Sequence, residues 1–405
     1  MRLRLHTTLV VSCLVSGCSP DAEPLAGSRI EVVQAPSEVL PGTPTAQVLI
    51  VRVLDDMGQS TEGVPVRWEA AAGSGSLQQS ADTSGVDGLA SALWTPGLSL
   101  EEQQISVTTY DRPALRIRVR AAAVLHADKI SSSYPKACGL MGSAVWCWDI
   151  GPSATTRRVL PQVQATDVAV SSGYVCVLDS AGTTYCQVNF GTVPPEEYVS
   201  VPGLPPIRGI SAGGPYFCGI AIADATPWCW MHSTLTPVQV SSSLQLSAVS
   251  AGSTPACGLT AAGEAWCWDG FGGNPVAVAG GHSFRSISTG RGGICAVAAP
   301  TRLYCWDGID GTPVSIAGVS ATQVAMGSLD DNLVNTSSGA TMFYLSSSGT
   351  GAFYLEQSSA LPIPARQVSD HCVVAFDGSV YCTPRYNPGN PAMPFTWAAI
   401  PAPTP

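Results

Sequence analysis

Charge is scarce in this chain of 405 residues. Only 12% of them are Asp, Glu, Lys or Arg, about half the usual share. Lysine occurs twice, at Lys129 and Lys136, and the formal net charge is -10. A chain so poor in cations lacks the electrostatic footprint that nucleic-acid binding needs, so no nucleic-acid partner is expected. With 45% apolar residues it is not a charge-rich disordered chain either. Long apolar runs are missing, since none beyond the first residues approaches the ~18 that span a bilayer as a helix. Uninterrupted helix-forming stretches are missing too. The 41 glycines and 32 prolines favour many short strands joined by turns. Cysteine is absent between Ser28 and Ala122, yet the chain holds fourteen, a number that suits an oxidising compartment.

The first residues read as an address. Arg2 and Arg4 precede an apolar stretch from Leu9 to Val15, and Val15-Ser16-Gly17-Cys18 closes it. A basic segment, a short apolar segment and small residues before a break form a secretory signal. The ending resembles the bacterial lipoprotein signal, in which the cysteine becomes the lipidated first residue. That resemblance implies a signal peptide over residues 1–17 and lipid attachment at Cys18. Ser19 rather than Asp follows, which by the same resemblance implies the outer membrane of a Gram-negative envelope. An ordinary cleaved signal would leave Cys18 incidental. Residues 18–27, with Pro20, Asp21, Glu23, Pro24 and Gly27, suit a short tether.

Residues 28–122 alternate in the manner of a β-sandwich. Gln47 to Leu54 is almost continuously apolar, as a buried strand can be. Asp55-Asp56-Met57-Gly58 is a turn, and Val64-Pro65-Val66-Arg67-Trp68 resumes a strand. Leu115 to Arg120 alternates strictly, one face apolar and the other carrying Arg116, Arg118 and Arg120. About seven such segments suit an Ig-like sandwich. The stretch ending at Gly58, Gly63 to Trp68, Thr83-Ser84-Gly85 and Leu93-Trp94-Thr95 resemble the bacterial Ig-like domains of invasin-type proteins, which implies a spacer or adhesion module. The arginine stripe is either a solvated strand face or a contact for acidic lipid or for the acidic remainder of the chain.

Residues 123–405 repeat. Spacing pairs Cys138 with Cys147, Cys176 with Cys186, Cys218 with Cys229, Cys257 with Cys267, Cys295 with Cys305 and Cys372 with Cys382. First members are 38, 42, 39, 38 and then 77 residues apart, so one pair is missing. Its positions fall on Leu333 and Phe343, both apolar. Each pair fits a hairpin. With Cys257 opposite Cys267, the loop is Ala261-Ala262-Gly263, with Gly where the left-handed bulge needs positive φ. Cys138 and Cys147 leave the two-residue loop Gly142-Ser143. One step along, Trp146, Trp228 and Trp266 face Gly139, Gly219 and Gly258, so large and small residues compensate in the same register. Directly opposed cysteines can bridge, and six intrablade disulfides are expected. Zinc is disfavoured, because its ligands usually pair two to four residues apart.

Short strands precede and follow each hairpin, giving about four per period, the content of a propeller blade. Seven periods fit between residues 123 and 397, and the C-terminus is expected to complete the first blade and close the ring. Val249-Ser250-Ala251-Gly252, Cys257-Gly258-Leu259 and Trp266-Cys267-Trp268-Asp269-Gly270 resemble the repeats of the regulator of chromosome condensation family, which are seven-bladed propellers. The chain departs from that family in lacking the usual His two residues before the first Cys, where Tyr174 and Tyr216 stand, and in lacking a G-Q-L-G segment. The family's nucleotide-exchange role is not carried over.

No constellation has the spacing of a catalytic or metal site. Gly209-Ile210-Ser211-Ala212-Gly213 matches the hydrolase pattern, but it is one copy of a repeat and lacks the strand–turn–helix context. His126, His232, His282 and His371 lie in different periods. Asn335-Thr336-Ser337 fits a glycosylation sequon that is accidental in a bacterial lipoprotein. The expected molecule is therefore all-β and monomeric: tether, Ig-like sandwich, then a seven-bladed, disulfide-braced propeller, held to the membrane by its N-terminal lipid alone. It has no catalytic residue, cofactor or metal. It is expected to bind an unknown protein or cell-surface ligand through the face bearing the loops before each first Cys. Those loops offer Tyr134, Lys136, Tyr174, Tyr216, Arg291, Asp330, Asp331 and His371, residue types enriched at binding hot spots among them. The alternatives are a proteinaceous inhibitor, by resemblance to secreted bacterial β-lactamase inhibitors built on such propellers, or a propeller carbohydrate-active enzyme.

Overall fold

A computed structural model describes residues 29–41, 46–97, 102–109, 114–151, 155–188, 197–269, 272–290, 293–327, 331–336, 339–347, 353–361, 364–383 and 397–402. The signal segment, Cys18 and the tether lie outside these residues, as do Arg291 and Asp330. Among the described residues every regular element is a strand, in keeping with the glycine and proline content.

The first nine strands form two sheets. They are β1 (Arg29–Gln34), β2 (Glu38–Val39), β3 (Gln47–Leu54), β4 (Pro65–Ala70), β5 (Ser76–Leu77), β6 (Ala81–Thr83), β7 (Leu89–Thr95), β8 (Glu102–Thr109) and β9 (Leu115–Ala121). One sheet has the order β1-β3-β7-β5 and the other β2-β9-β8-β4-β6. Alternate residues point inward. Leu49, Val51, Val53, Ala90, Ala92 and Trp94 of one sheet meet Val66, Trp68, Ile105, Val107, Ile117 and Val119 of the other in a single core. The buried Trp94 donates from Nε1 to Ser74 O at 2.6 Å, so its one polar atom is satisfied. Strands β2 and β5 have two residues each, too few for alternation to reveal them.

Seven antiparallel four-stranded sheets follow, each in chain order. Their first strands are Lys129–Ser133, Ala165–Ser171, Ile207–Gly213, Ala248–Ala251, Phe284–Thr289, Gln323–Met326 and Ala365–Ser369. Each first strand packs on the next, and the seventh packs on the first. This ring of radial sheets is a β-propeller. Six disulfides cross from the second strand of a sheet to its third. Cys138 is bonded to Cys147 in the first sheet, Cys176 to Cys186 in the second and Cys218 to Cys229 in the third. Cys257 is bonded to Cys267 in the fourth, Cys295 to Cys305 in the fifth and Cys372 to Cys382 in the seventh. Their Cα–Cα distances run from 4.0 to 4.2 Å, as directly opposed strand positions require. The pairing is the one the spacing predicts. The neighbouring register is also as the sequence predicts, with Gly139 opposite Trp146, Gly219 opposite Trp228 and Gly258 opposite Trp266.

Three expectations change. First, the atoms nearest to where a Cβ on Gly139, Gly219 or Gly258 would stand include those of Ala127, Ile207 and Leu246 respectively, and none belongs to the opposed tryptophan. These residues lie just before or at the start of each first strand. The glycine admits the chain that enters its own sheet. Second, in the sixth hairpin Leu333 pairs with Met342, and Phe343 pairs with Asn332. Thr336 pairs with Gly339, so partners are nine rather than ten residues apart, as in the Cys138–Cys147 hairpin. Third, the ring closes in the opposite sense. The C-terminal strand Ala398–Ala399 stays in the seventh sheet, and the first sheet is complete with its own Arg157–Val159. Instead the chain entering the first sheet is stitched into the seventh. Leu125 N donates to Ile400 O (2.6 Å), Val380 N to Leu125 O (3.0 Å), and Ala127 N to Gly378 O (2.9 Å). Ala399 N donates to Pro41 O of the sandwich (2.9 Å), and Leu40 packs on the seventh-sheet core.

The motif apolar-Ser-x-Gly has a physical basis in this ring. Ile130, Val168, Ile210, Val249, Ile287, Val324 and Val368 each pack back on the preceding sheet. The next residue points forward. Oγ of Ser131, Ser211, Ser250, Ser288 and Ser369 accepts a hydrogen bond from the first-strand amide of Val170, Ala251, Thr289, Met326 and Ser132, at 2.8–3.0 Å. Alanine takes the serine position at Ala169 and Ala325. There Asp167 Oδ2 accepts from Ile210 N (3.1 Å), and Asn335 Nδ2 donates to Ala365 O (2.5 Å). Each junction thus satisfies backbone groups that would otherwise be buried without partners.

Candidate binding face

The upper face carries the loops between first and second strands, and the lower face carries the hairpin turns. Along the axis runs a channel of about 210 Å³, lined by all seven first strands. Lys129, which lines it, pairs its Nζ with Asp167 Oδ1 at 2.5 Å. Asp167 also accepts from Val168 N and Ile210 N. Its carboxylate therefore ties three consecutive sheets and is already well supplied with donors.

The upper rim is uneven. In the third to fifth sheets Gly213, Gly252 and Gly290 press against the backbone of the next sheet, so that a Cβ on any of them would collide with a carbonyl there or in its own loop. In the first and second sheets the same position is serine. Ser133 Oγ accepts from Ser172 N (3.2 Å), and Ser171 Oγ donates to Gly214 O (2.7 Å). The seventh sheet is lower still. Ser369 pairs directly with Cys372 across the turn Asp370-His371, whereas Ser131 pairs with Cys138 seven residues on. The rim is four residues shorter there, and Asp370 takes φ 32° in the turn.

Tyr134 and Lys136 of the first sheet, Tyr174 of the second and Tyr216 of the third all sit on this side and are half-buried. Tyr174 stacks on His232 of the third sheet, with centroids 3.8 Å apart and planes at 23°. His232 Nδ1 donates to Pro215 O at 3.1 Å, which fixes the ring beneath the tyrosine. Tyr134 meets His371 edge-on at 5.9 Å. His371 itself is fully buried, so it belongs to the rim's interior and not to a contact surface. The short loop draws it beneath Tyr134. Arg291 and Asp330 lie outside the described residues, and of Asp331 only the backbone, in strand Asp331–Thr336, is described. His232 was not among the residues expected here, and nothing in its own period pointed to its partner in the preceding one.

Ser211 lies inside a strand with Oγ held by Ala251 N, so the motif lacks the strand–turn–helix context of a hydrolase serine. Among the described residues no group of three or more His, Cys, Asp or Glu is placed to hold a metal ion. No described helix is long and apolar enough to cross a membrane. On the sandwich, Arg116, Arg118 and Arg120 are exposed, but carboxylates interleave them. Glu102 and Glu38 are both register partners of Arg120, and Glu102 bonds Arg118 at 3.2 Å. Arg118 and Arg120 are thus charge-paired across strands, whereas Arg116 faces Ser106.

On the lower face, His126 Nδ1 donates to Asp377 O at 3.1 Å. Burial would raise the Asp377 carboxyl, but Ser379 N and Oγ donate to its Oδ1 and hold it below the usual range. Burial pushes the Tyr381 phenol up. Both groups shape turns and packing where the ring closes.

No protein-family model matches the sequence, and no curated protein is similar to it. Similar solved structures include the Saccharomyces cerevisiae protein Prp20p, at 12% identity over 71% of this chain and 82% of that one with a TM-score of 0.46. Human WBSCR16 is similar at 10% identity over 76% and 96%, with a TM-score of 0.49. The ectodomain of the Physcomitrella patens receptor kinase CR4 is similar at 18% identity over 66% and 78%, with a TM-score of 0.43. A propeller follows for this chain from its own seven sheets and their closed ring of contacts.

Proposed function

We propose that this is a non-catalytic cell-envelope protein that binds a protein or surface ligand through the upper propeller face. In this reading Cys18 carries lipid at the outer membrane, residues 18–27 are the tether, residues 28–122 are an Ig-like spacer, and residues 123–405 are a seven-bladed propeller. The parallel pairing of β2 with β9, and a core shared by two sheets, support the Ig-like assignment. Six disulfides support an oxidising, extracytoplasmic location. The observation that carries the binding role is the uneven rim: Tyr134, Lys136, Tyr174 and Tyr216 all stand in the first three sheets, beside the low seventh-sheet wall. Aromatic side chains offer large contact area at small entropic cost, which suits recognition.

The test is capture of envelope ligands on the immobilised chain and on Lys136→Ala with Tyr216→Ala. We expect capture to fall at least tenfold while the melting temperature moves by no more than a few degrees. Undiminished capture would move the site to the lower face or the sandwich. Turnover of a captured glycan would replace binding with catalysis.

A further inference from the structure

The fifth sheet departs from the repeat in three places, and all three meet at one recess on its lower, outer corner. Its hairpin tip, Ala299-Pro300-Thr301, lacks the glycine found in the other three-residue tips. Its outer strand Val314–Ser320 has seven residues, against two or three in five of the other sheets. Arg302 pairs with Ser320 and Tyr304 with Ser315, so residues 316–319 bulge outward opposite Leu303. Bulges of this kind re-aim groups at sheet edges and beside functional sites. The third departure is Arg302 itself. Three residues before the second Cys, the other cysteine hairpins carry Ala144, Thr183, Thr226, Glu264 and Ser379, none of them a cation.

The recess holds about 300 Å³ and is lined by Pro300, Thr301, Arg302 and the 315–319 bulge. Arg302 is exposed, and its Nη1 donates to Tyr304 OH at 3.4 Å. Tyr304 is in turn packed against the His282 ring at 4.4 Å. Arg285 approaches the same hairpin tip and donates from Nη1 to Pro300 O at 3.4 Å. Neither arginine has a carboxylate within ion-pair distance among the described residues. In a chain of net charge -10 with 29 acidic residues, two neighbouring arginines that meet only neutral oxygens are unusual. A guanidinium that spends one N–H on a phenol keeps its other donors for a planar or tetrahedral oxyanion. Ser320 Oγ donates to Thr301 Oγ1 at 2.8 Å and adds hydroxyls at the mouth.

We propose that this recess is an anion-binding site, separate from the upper face, that takes a phosphate or carboxylate group through Arg302 with Arg285 beside it. The measurement is calorimetric titration of the full chain with inorganic phosphate and, separately, with sodium glucuronate. Saturable binding of either anion is expected, weakened at least tenfold by Arg302→Gln with Arg285→Gln and unchanged by Arg116→Gln on the exposed face of the sandwich. Phosphate alone saturating would make it a phosphate site, and glucuronate alone a carboxylate site. Ser315→Asp leaves both arginines in place and puts a carboxylate on the exposed wall, and it should weaken binding as well. Failure of both anions to saturate, or unchanged affinity in the double arginine variant with its melting temperature preserved, overturns the site.

Discussion

Ser288 and Asp167 do related work at different junctions of the ring. Ser288 Oγ accepts one amide of the sixth sheet, from Met326 at 2.9 Å. Asp167 accepts Ile210 N from the third sheet and the Lys129 ammonium from the first. Replacing Ser288 by Ala leaves one buried donor without a partner, at a cost of about 1–3 kcal/mol. Asp167→Ala strands the amides of Val168 and Ile210, at about 1–3 kcal/mol each, while losing the partner of the part-exposed Lys129 adds at most about 1 kcal/mol. Chemical denaturation of both variants checks the order, and equal loss would show that the carboxylate adds nothing beyond a serine-like tie. The serine was visible in the sequence only as a recurring letter. Its forward orientation, opposite to the apolar residue before it, comes from strand alternation between two faces that both abut a neighbouring sheet.

Among the elements, the hairpins follow most directly from sequence. Cysteine spacing selects one register in six of them, a tip glycine agrees with it in four, and the observed pairing agrees, from Cys176 opposite Cys186 to Cys372 opposite Cys382. The sixth lacks the cysteine marker, and there the assumed ten-residue spacing misses by one. Thr336 pairs with Gly339, which puts Met342 opposite Leu333. Leu333→Cys with Met342→Cys should therefore form a seventh disulfide, whereas Leu333→Cys with Phe343→Cys should leave two free thiols. Thiol counting under non-denaturing conditions distinguishes them. In the chain-entropy model the new bridge adds about 2.7 kcal/mol, before any native strain is subtracted.

For the whole molecule, ring closure rests on backbone that precedes the first sheet. Residues 124–127 lie along the seventh sheet, and Leu125 is fully buried between the seventh and first sheets. A propeller that starts at Ala122 keeps this strap, and one that starts at Lys129 loses it. The shorter chain should be less stable by on the order of 3–5 kcal/mol, from one buried leucine and several hydrogen bonds. Hydrogen exchange should quicken at Val380, whose amide donates to Leu125 O. Unchanged exchange there would mean that the seventh sheet is complete without the strap. The contact of Pro41 and Leu40 with the same sheet makes the sandwich more than a remote spacer.

Composition, repeat period and turn residues by themselves determined that the chain is all-β, that a cysteine-free sandwich precedes a repeated unit, and which cysteines face each other. These are local properties: a strand's alternation and a hairpin's loop length are written within a dozen residues. Tertiary structure alone decided which terminus closes the ring, that His371 is buried beneath Tyr134, that Tyr174 meets His232, and that Arg302 opens into a recess beside a bulged strand. Each of these joins residues from different periods or from a local departure from the repeat. Periodicity cannot encode them, because packing between sheets depends on side chains that the repeat does not hold constant.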